Sequence, residues 1–203
     1  MDIYMIVSIV EGHGEVASVP DLLHRISQEE YPGLLLKTPP PIRIPKAKML
    51  QKRGIEKGIA LAAGIIGKEN KGGILVLLDA DNDCPVEKAD ILRKRAIESR
   101  PDQDIRIVLA KMEYEAWFLA AAESIFGKER IEEDIRAMKD PESIRDAKGW
   151  LKKRMSPGLS YRETIHQKEF TKKFDMEMAR KRSPSFEKFR RDIRDLITLA
   201  KTR

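Results

Sequence analysis

Two acidic clusters, each placed directly after an apolar run, are the residues of this chain best suited to chemistry. The first is Glu11-Gly12-His13-Gly14-Glu15, after residues 3–10, and the second is Asp79-Ala80-Asp81-Asn82-Asp83, after residues 74–78. Such aliphatic runs are typical of buried parallel strands, and ligands gather at the carboxyl ends of those strands. Like charges beside an apolar sheet are costly unless a cation neutralises them. Because Mg²⁺ and Mn²⁺ prefer oxygen ligands, the pattern predicts a divalent metal site.

The spacing within the clusters suggests individual ligands. Asp79 and Asp81 lie two residues apart, so they project the same way from an extended segment and can share a metal, and Asp83 joins them if the chain stays extended. Glu11 would contribute from the neighbouring strand, and Glu15, about one helical turn further, could hold a second ion. Two ions can activate water and stabilise the leaving oxygen in phosphodiester cleavage. The predicted reaction class is phosphoryl transfer or hydrolysis.

A further acidic pair follows the third predicted strand. Glu113 and Glu115 could reach the same site, and Lys111 is the lysine best placed to stabilise charge on a scissile phosphate. A carboxylate near a helix N-terminus is also favourable through the helix dipole, so a structural role for one of the pair is equally consistent. The predicted catalytic residues are Glu11 and Lys111, and the predicted metal ligands are Glu11, Glu15, Asp79, Asp81, Asp83, Glu113 and Glu115.

Other interpretations of the aspartate cluster remain open. A solvated turn with side-chain-to-backbone hydrogen bonds is the commoner structure for such a segment. An aspartyl-phosphate phosphatase also uses alternate aspartates, but after its first strand, where this chain has Glu11. A helix-loop-helix calcium loop is excluded, since Cys84 stands where that loop needs glycine.

Composition favours a polyanionic substrate. The 203 residues carry a formal net charge of +6 and are 35% charged, so a negative site would lie within a positive surface, although lysines also simply aid solubility. The run Arg180, Lys181 and Arg182 is predicted to bind nucleic acid through phosphate contacts, with a solvated helical face as the alternative.

The single Cys84 excludes an internal disulfide. Because the first strand is too short to span a bilayer, we expect a cytoplasmic protein that binds no membrane.

Strand and helix patterns alternate through the first part of the chain, which predicts an α/β fold with a mainly parallel central sheet flanked by helices. Pro20 is expected only in a first helical turn, and Ser183 is expected to cap the last helix. We expect an α/β core over residues 1–126 and a helical extension over 127–203 packed on it. Expected strands are 3–10, 74–78 and 104–110, with a further short one within 34–44, and expected helices are 16–28, 49–66, 86–99, 114–125, 129–138, 142–154 and 186–200.

The order Val10-Glu11-Gly12-His13-Gly14-Glu15 and Leu78-Asp79-Ala80-Asp81 resembles the TOPRIM domain of type IA and II topoisomerases, primases and overcoming-lysogenization-defect nucleases. The acid at Glu15 is most similar to the nuclease branch. The segments Lys111-Met112-Glu113-Tyr114-Glu115-Ala116-Trp117 and Arg182-Ser183-Pro184-Ser185-Phe186 resemble a small stand-alone TOPRIM-like family of prokaryotes, of unknown function. The resemblance implies a Rossmann-like TOPRIM fold, Glu11 as acid/base or metal ligand, and magnesium bound by Asp79 and Asp81.

The residues and the resemblance together predict a Mg²⁺- or Mn²⁺-dependent nuclease, or a related phosphotransfer enzyme, acting on DNA or RNA. Two alternatives stay open: a non-catalytic metal- and nucleic-acid-binding module of a larger defence or repair assembly, and a phosphatase or nucleotide-processing enzyme. The chain lacks the length of a topoisomerase and the Gly-Lys-Ser/Thr loop of an ATPase. A separate ATPase partner and the oligomeric state are left open.

Overall fold

A central parallel sheet organises the computed structural model, which describes residues 3–67, 71–127 and 140–201, with side chains as far as residue 198. Within these ranges the strand order is β2-β1-β4-β5, and β3 pairs with β1 beyond the end of β2. Every ladder is parallel, which confirms the predicted α/β class. The strands are β1 Ile3–Val10, β2 Leu35–Lys37, β3 Ile42–Arg43, β4 Gly72–Asp79 and β5 Ile105–Ala110.

The aliphatic runs form strands because helices cover both faces of the sheet. Along β1, Ile6 and Val10 point into one core, while Val7 and Ile9 point into the other. Alternate side chains of a strand face opposite sides, so a nearly unbroken apolar run fills both cores. Helices α2 Lys46–Leu50, α3 Gly54–Ile66 and α4 Pro85–Ser99 cover one face, and α1 His13–Glu30 lies on the other.

The remaining helices extend the core on the α1 side. Phe174, Phe186 and Ile193 from the C-terminal third share one buried cluster with Ile6 of β1. The helical character of this third is confirmed for the described residues, while the boundary at residue 126 stays a prediction. These elements are α5 Ala116–Ala120, α6 Ala122–Phe126, a 3₁₀ turn Pro141–Ser143, α7 Ala147–Arg154, a π-helical turn Glu163–Gln167, α8 Lys168–Lys173, α9 Met176–Arg182 and α10 Pro184–Lys201.

Two long helices predicted by periodicity are each divided. The helix expected over 49–66 is interrupted at Arg53, whose φ is +62°, and a Cβ at Gly54 would lie 1.8 Å from the Lys48 carbonyl oxygen. The helix expected over 114–125 is split at Ala121, which lies between α5 and α6 with φ −125° and ψ 28°. Apolar periodicity continues across both breaks because the flanking segments bury the same face, so the pattern does not reveal the interruptions.

Two helix starts also differ from expectation. Helix α1 begins at His13, so Pro20 lies inside it rather than in its first turn. One lost backbone hydrogen bond is tolerated because the same helix fully buries Leu22, Leu23 and Ile26. The helix expected over 142–154 begins only at Ala147, and the predicted helix at 129–138 lies outside the described residues. No helix of the described residues is long and apolar enough to cross a membrane.

A buried carboxylate fixes the start of α10. Glu142, only 1% exposed, accepts hydrogen bonds at Oε1 from the Ser183 hydroxyl, the Ser185 hydroxyl and the Ser185 backbone N–H, at 2.5, 2.5 and 3.0 Å. Ser183 Oγ in turn accepts the Phe186 backbone N–H at 3.1 Å, which confirms the predicted helix cap. Trp117 Nε1 donates to Ser185 Oγ at 2.8 Å. One acid therefore joins the 3₁₀ turn, α5 and α10.

Removing this carboxylate should destabilise the protein. In Glu142→Ala two hydroxyls and one backbone N–H lose their acceptor in a buried position, and we expect a loss of about 3 kcal/mol or more in the free energy of unfolding. Urea unfolding followed by circular dichroism measures it. The matched control Glu98→Ala, at an exposed position on α4, should change stability by less than about 0.5 kcal/mol. Equal unfolding midpoints for the two variants would contradict this interpretation.

Candidate functional site

Carboxylates from three neighbouring strand ends meet at one edge of the sheet. Glu11 follows the last residue of β1, and Asp79 is the last residue of β4. The ladders bring these ends together, since Val10 pairs with Leu77 and Asp79 pairs with Ala110. Glu115 follows β5 by a short connection and reaches the same edge. We name Glu11, Glu15, Asp79 and Glu115 the carboxylate cluster.

Asp79 lies at the centre of the cluster. Its Oδ1 accepts the backbone N–H of Tyr114 at 2.8 Å, which orients the side chain toward the segment after β5. Part of the residue reaches the surface, but its carboxylate is surrounded by protein. This burial raises the pKa of Asp79 well above its usual value, and the carboxylates of Glu115 and Glu15 add to the effect, while Lys148 opposes it. Asp79 is therefore a buried acid with acidic neighbours.

Glu115 is fully buried, and only one of its two carboxylate oxygens accepts hydrogen bonds. Its Oε1 accepts the hydroxyl of Tyr161 at 2.9 Å and Nε2 of Gln167 at 3.2 Å. Its Oε2 has no hydrogen-bond partner and lies 3.9 Å from the Lys148 ammonium. Burial raises the pKa of Glu115 to about 7, against the attraction of Lys148. The protein thus holds this carboxylate near the midpoint of its titration at neutral pH.

Glu15 enters the cluster from the first turn of α1, where the positive end of the helix dipole favours a carboxylate. It is 4% exposed, and its Oε2 has no hydrogen-bond partner. Burial raises the pKa of Glu15, and the nearby Glu163 and Glu11 act in the same direction. A Cβ at Gly12 would lie 2.4 Å from Oε2 of Glu15, and one at Gly14 would lie 2.7 Å from Cγ of Glu163. The two glycines leave room for these carboxylates.

Glu11 completes the cluster at its more open side. Burial raises the pKa of Glu11, while the backbone N–H of Asp79 and the ammonium of Lys46 act to lower it. Its Oε2 is buried without a hydrogen-bond partner. Glu11, Glu15 and Glu115 therefore each keep one buried carboxylate oxygen that no hydrogen bond satisfies.

Sequence reasoning missed the cation of this site. Lys148, near the start of α7, places Nζ 3.2 Å from Oε2 of Glu163 and donates its backbone N–H to Oε2 of Glu113 at 3.1 Å. Burial lowers the pKa of Lys148, but the carboxylates around it, Glu115 and Asp79 foremost, outweigh that effect and raise the pKa above its usual value. Lys148 is therefore a charged counter-ion within the acidic site.

The π-helical turn Glu163–Gln167 supplies two further site residues. Gln167 is fully buried, and while its Nε2 bonds to Glu115, its Oε1 accepts the Ser18 hydroxyl of α1 at 3.2 Å. π-Helical turns occur frequently at functional sites. No sequence pattern indicates Glu163 or Lys148, because both come from the C-terminal third and reach the sheet edge only through packing.

Asp81 and Asp83 are held outside the centre. The condition under which Asp83 would join the metal ligands, an extended segment, is not met, since Asp81 adopts a left-handed conformation with φ +50°. The turn brings Asp81 within 2.7 Å of Lys46, and Asp83 lies 3.2 Å from Lys46 and 3.3 Å from Lys88. Asp81 still raises the pKa of Glu113, for which burial is the larger cause. Both aspartates are thus paired with lysine, Asp81 with Lys46 and Asp83 with Lys46 and Lys88.

Lys111 also differs from expectation in its surroundings. Its Nζ lies 3.6 Å from Asp140, and its backbone N–H donates to Ser185 Oγ at 3.2 Å. The lysine that contacts the acids of the cluster is Lys148 instead.

The predicted nucleic-acid-binding residues on α9 lie beside acids. Arg180 lies 2.6 Å from Glu177, Lys181 lies 3.4 Å from the same carboxylate, and Arg182 lies 2.7 Å from Glu123. These pairs reduce the positive field of α9, because part of each charge is balanced locally. Contact with nucleic acid through this helix stays a prediction.

The donor set suits a hard divalent cation, because each unsatisfied oxygen belongs to a carboxylate. Within residues 3–67, 71–127 and 140–201, however, no group of three or more His, Cys, Asp or Glu side chains stands in metal-binding geometry. Lys148 supplies part of the compensating charge in the present arrangement.

The family match covers almost the entire chain. Residues 10–194 match a domain of unknown function, DUF4276. The chain belongs to this family. The matched region contains the carboxylate cluster and Lys148, but the family carries no described activity. No curated protein and no solved structure matches the chain, so the resemblance to TOPRIM domains stays a prediction.

The cluster should make stability depend on pH in metal-free protein. Glu115 has a pKa of about 7 in the folded state and an ordinary value of 4.5, so between these values the folded chain binds more protons than the unfolded chain. Stability should therefore fall as pH rises through this window, by up to about 3 kcal/mol from Glu115 alone. Urea unfolding with a chelator, at about pH 5 and about pH 8, measures the loss.

Glu115→Gln should reduce this dependence, because the amide does not titrate and its oxygen can still accept both hydrogen bonds. The control Glu98→Gln, on the exposed face of α4, should keep the wild-type dependence. An undiminished loss of stability in Glu115→Gln would contradict the assignment.

Proposed function

We propose that this protein is a metal-dependent phosphodiesterase that cleaves nucleic acid. The observation that supports the proposal is the convergence of Glu11, Asp79 and Glu115 from three adjacent strand ends, where Glu11 and Glu115 each keep a buried oxygen that no hydrogen bond satisfies. A carboxylate arrangement of this kind suits a cation that also binds a phosphate. The net charge of +6 of the whole chain, carboxylate cluster included, favours a polyanionic substrate.

The four members of the carboxylate cluster would hold one or two Mg²⁺ or Mn²⁺ ions. A bound ion supplies charge neutralisation and an activated water for phosphodiester hydrolysis. Glu11 has the most open position of the four and a raised pKa, so it is the residue best placed to accept or return a proton. Asp79, oriented by the Tyr114 N–H, and the fully buried Glu115 are suited to holding charge in a fixed place.

Lys148 is the residue to which we assign binding of the scissile phosphate of the substrate. Its side chain is 35% exposed, and its ammonium lies 3.2 Å from Glu163 and 3.9 Å from Glu115. A phosphate oxygen that enters the site can accept a hydrogen bond from it, and a fixed cation stabilises charge that develops in the transition state. This is the role that sequence reasoning gave to Lys111.

A non-catalytic binding module is the second candidate function. The observation that favours it is Lys148, which already compensates part of the negative charge of the carboxylate cluster, so that the cluster needs less cation charge than two-ion cleavage supplies. Such a module would bind metal and nucleic acid within a larger assembly without cleaving. A TOPRIM relationship, a separate ATPase partner and a cytoplasmic location are compatible with either candidate and remain predictions.

Replacing the central acids should abolish cleavage. We expect Glu11→Gln and Asp79→Asn to lower Mg²⁺- or Mn²⁺-dependent cleavage of labelled DNA or RNA by at least about 100-fold, because each removes a charge from the reacting centre. The control Asp83→Asn alters an acid that is paired with two lysines outside the cluster, and it should stay within about twofold of wild type.

Three outcomes separate this function from its alternatives. Metal binding without cleavage of any nucleic acid would assign the module, and turnover of small phosphate esters alone would assign a phosphatase. Full nuclease activity in Glu11→Gln would show that the cleavage site lies elsewhere.

The two lysines should differ in their effect on rate. Lys148→Met should lower the single-turnover cleavage rate by about 100-fold at saturating metal, while Mn²⁺ binds as tightly as in wild type or more tightly, because a competing positive charge is gone. Lys111→Met should retain most of the rate, since its ammonium lies beside Asp140. Quenched-flow kinetics and a Mn²⁺ titration by electron paramagnetic resonance measure the two properties. Equal rate losses in both variants would remove the role proposed for Lys148.

A further inference from the structure

An apolar surface lies at the opposite, amino-terminal end of the strands, on the face covered by α3 and α4. Ile3, Leu35, Leu61 and Ile65 are 43, 46, 55 and 38% exposed. Ile3 and Leu35 are partners in the ladder between β1 and β2. Exposed apolar side chains that lie together, rather than scattered singly, mark interaction surfaces. We name these four residues the apolar ledge.

The ledge occupies one flank of α3 and the sheet beside it. On the other flank of α3, Glu56 pairs with Arg95 of α4 at 2.8 Å, so α4 covers that side. At about 100° per residue, Leu61 and Ile65 lie on the flank away from Glu56. Gly58 lies on the same flank, and a Cβ there would lie 2.7 Å from Cδ1 of Ile44, just after β3. This flank of α3 is therefore directed toward β3. Leu61 and Ile65 thus face the side of the sheet that carries β2 and β3.

The strand residues of the ledge point to the same face. Leu36 and Tyr4 belong to the core on the α1 side. Their neighbours Leu35 and Ile3 therefore point to the α3 side, because side chains of a strand alternate. On this side α3 lies over β1 and α4 contacts β5, whereas no helix of the described residues packs closely on β2. Parallel sheets normally carry helices across both faces, so the ledge has the form of a vacant helix position beside α3.

The charges around the ledge are basic. Lys57 lies one helical turn before Leu61 on α3. Lys37 lies two residues after Leu35 in β2, so both side chains point to the same face of the sheet. Lys71 directly precedes β4, and its carbonyl oxygen accepts the backbone N–H of Met5. Within the described part of the chain, none of these three lysines has an ion-pair partner. From Gly58 to the end of α3 there is no charged residue. Among the described residues, the surface therefore combines exposed apolar side chains with three surrounding lysines that form no ion pair.

We propose that the apolar ledge binds an amphipathic helix of a partner polypeptide, with apolar residues against Leu61, Ile65, Leu35 and Ile3 and acidic residues against Lys37 and Lys57. We infer that the partner segment is helical because the position beside α3 has the form of a vacant helix position. We infer that its flanks are acidic because the lysines around the apolar ledge are positively charged. This docking surface is independent of the carboxylate cluster and of the proposed catalysis.

A pair of synthetic peptides tests the proposal with the full chain. Both are helical, about 20 residues long, with leucines along one face, and they carry glutamates on the flanks in one peptide and lysines in its twin. Fluorescence anisotropy should show the acidic peptide binding at least about tenfold more tightly than the basic twin. Lys37→Glu with Lys57→Glu should reverse the preference.

Variants at exposed positions keep the fold intact and locate the surface. Leu61→Glu should weaken binding of the acidic peptide by at least about tenfold. The matched control Ile91→Glu alters another exposed isoleucine, 53% exposed on α4, and should leave binding unchanged. Thermal unfolding of each variant verifies that it remains folded.

Several results would overturn the proposal. They are no binding of the acidic peptide, equal affinity of the twins, or unchanged binding by folded Leu61→Glu. Leu61-dependent self-association in light scattering would assign the ledge to a second copy of the chain. Leu61-dependent binding to phosphatidylglycerol vesicles without binding of the acidic peptide would assign it to a lipid surface.

Discussion

The burial of several carboxylates at one sheet edge is the constraint on which the structure of the site depends. Asp79, Glu15 and Glu115 all have raised pKa values because burial disfavours their charged forms. The fold limits this cost by means that come from distant parts of the chain. A lysine comes from α7, an amide from a π-helical turn and a hydroxyl from Tyr161. The C-terminal third is therefore part of the site, since without it the acids would face one another uncompensated.

A second buried acid holds that C-terminal third in place. Glu142 joins the 3₁₀ turn to the start of α10 through Ser183 and Ser185, and Ser185 also accepts the indole N–H of Trp117. Trp117 belongs to α5, directly after Glu115 and the segment that orients Asp79. The two acidic networks are thus connected through α5. Distortion of the Glu142 network would be expected to shift Lys148, which follows it by a few residues on α7.

Periodicity predicted the sheet well and the helix boundaries less well. Strands β1, β4 and β5 follow from aliphatic runs, since only a sheet covered on both faces buries such runs completely. Breaks at Arg53 and Ala121 do not follow, because a helix can stop and restart while it keeps the same buried face. The late start of α7 depends on Asp146, whose side chain accepts the Gly149 N–H at 2.8 Å, and the sequence offers several equivalent cap residues nearby.

The sequence by itself placed Glu11 and Asp79 at one edge, because strands of one parallel sheet end at a common edge, and it offered Glu113 and Glu115 as further candidates without choosing between them. It also predicted the cap at Ser183. Only the tertiary structure decided which acids are central and which are neutralised. Asp83 turns toward Lys46 and Lys88 because of the left-handed backbone at Asp81, and Lys148 rather than Lys111 contacts the cluster. Such choices depend on contacts between segments far apart in the chain, where local spacing carries no information about distance or direction.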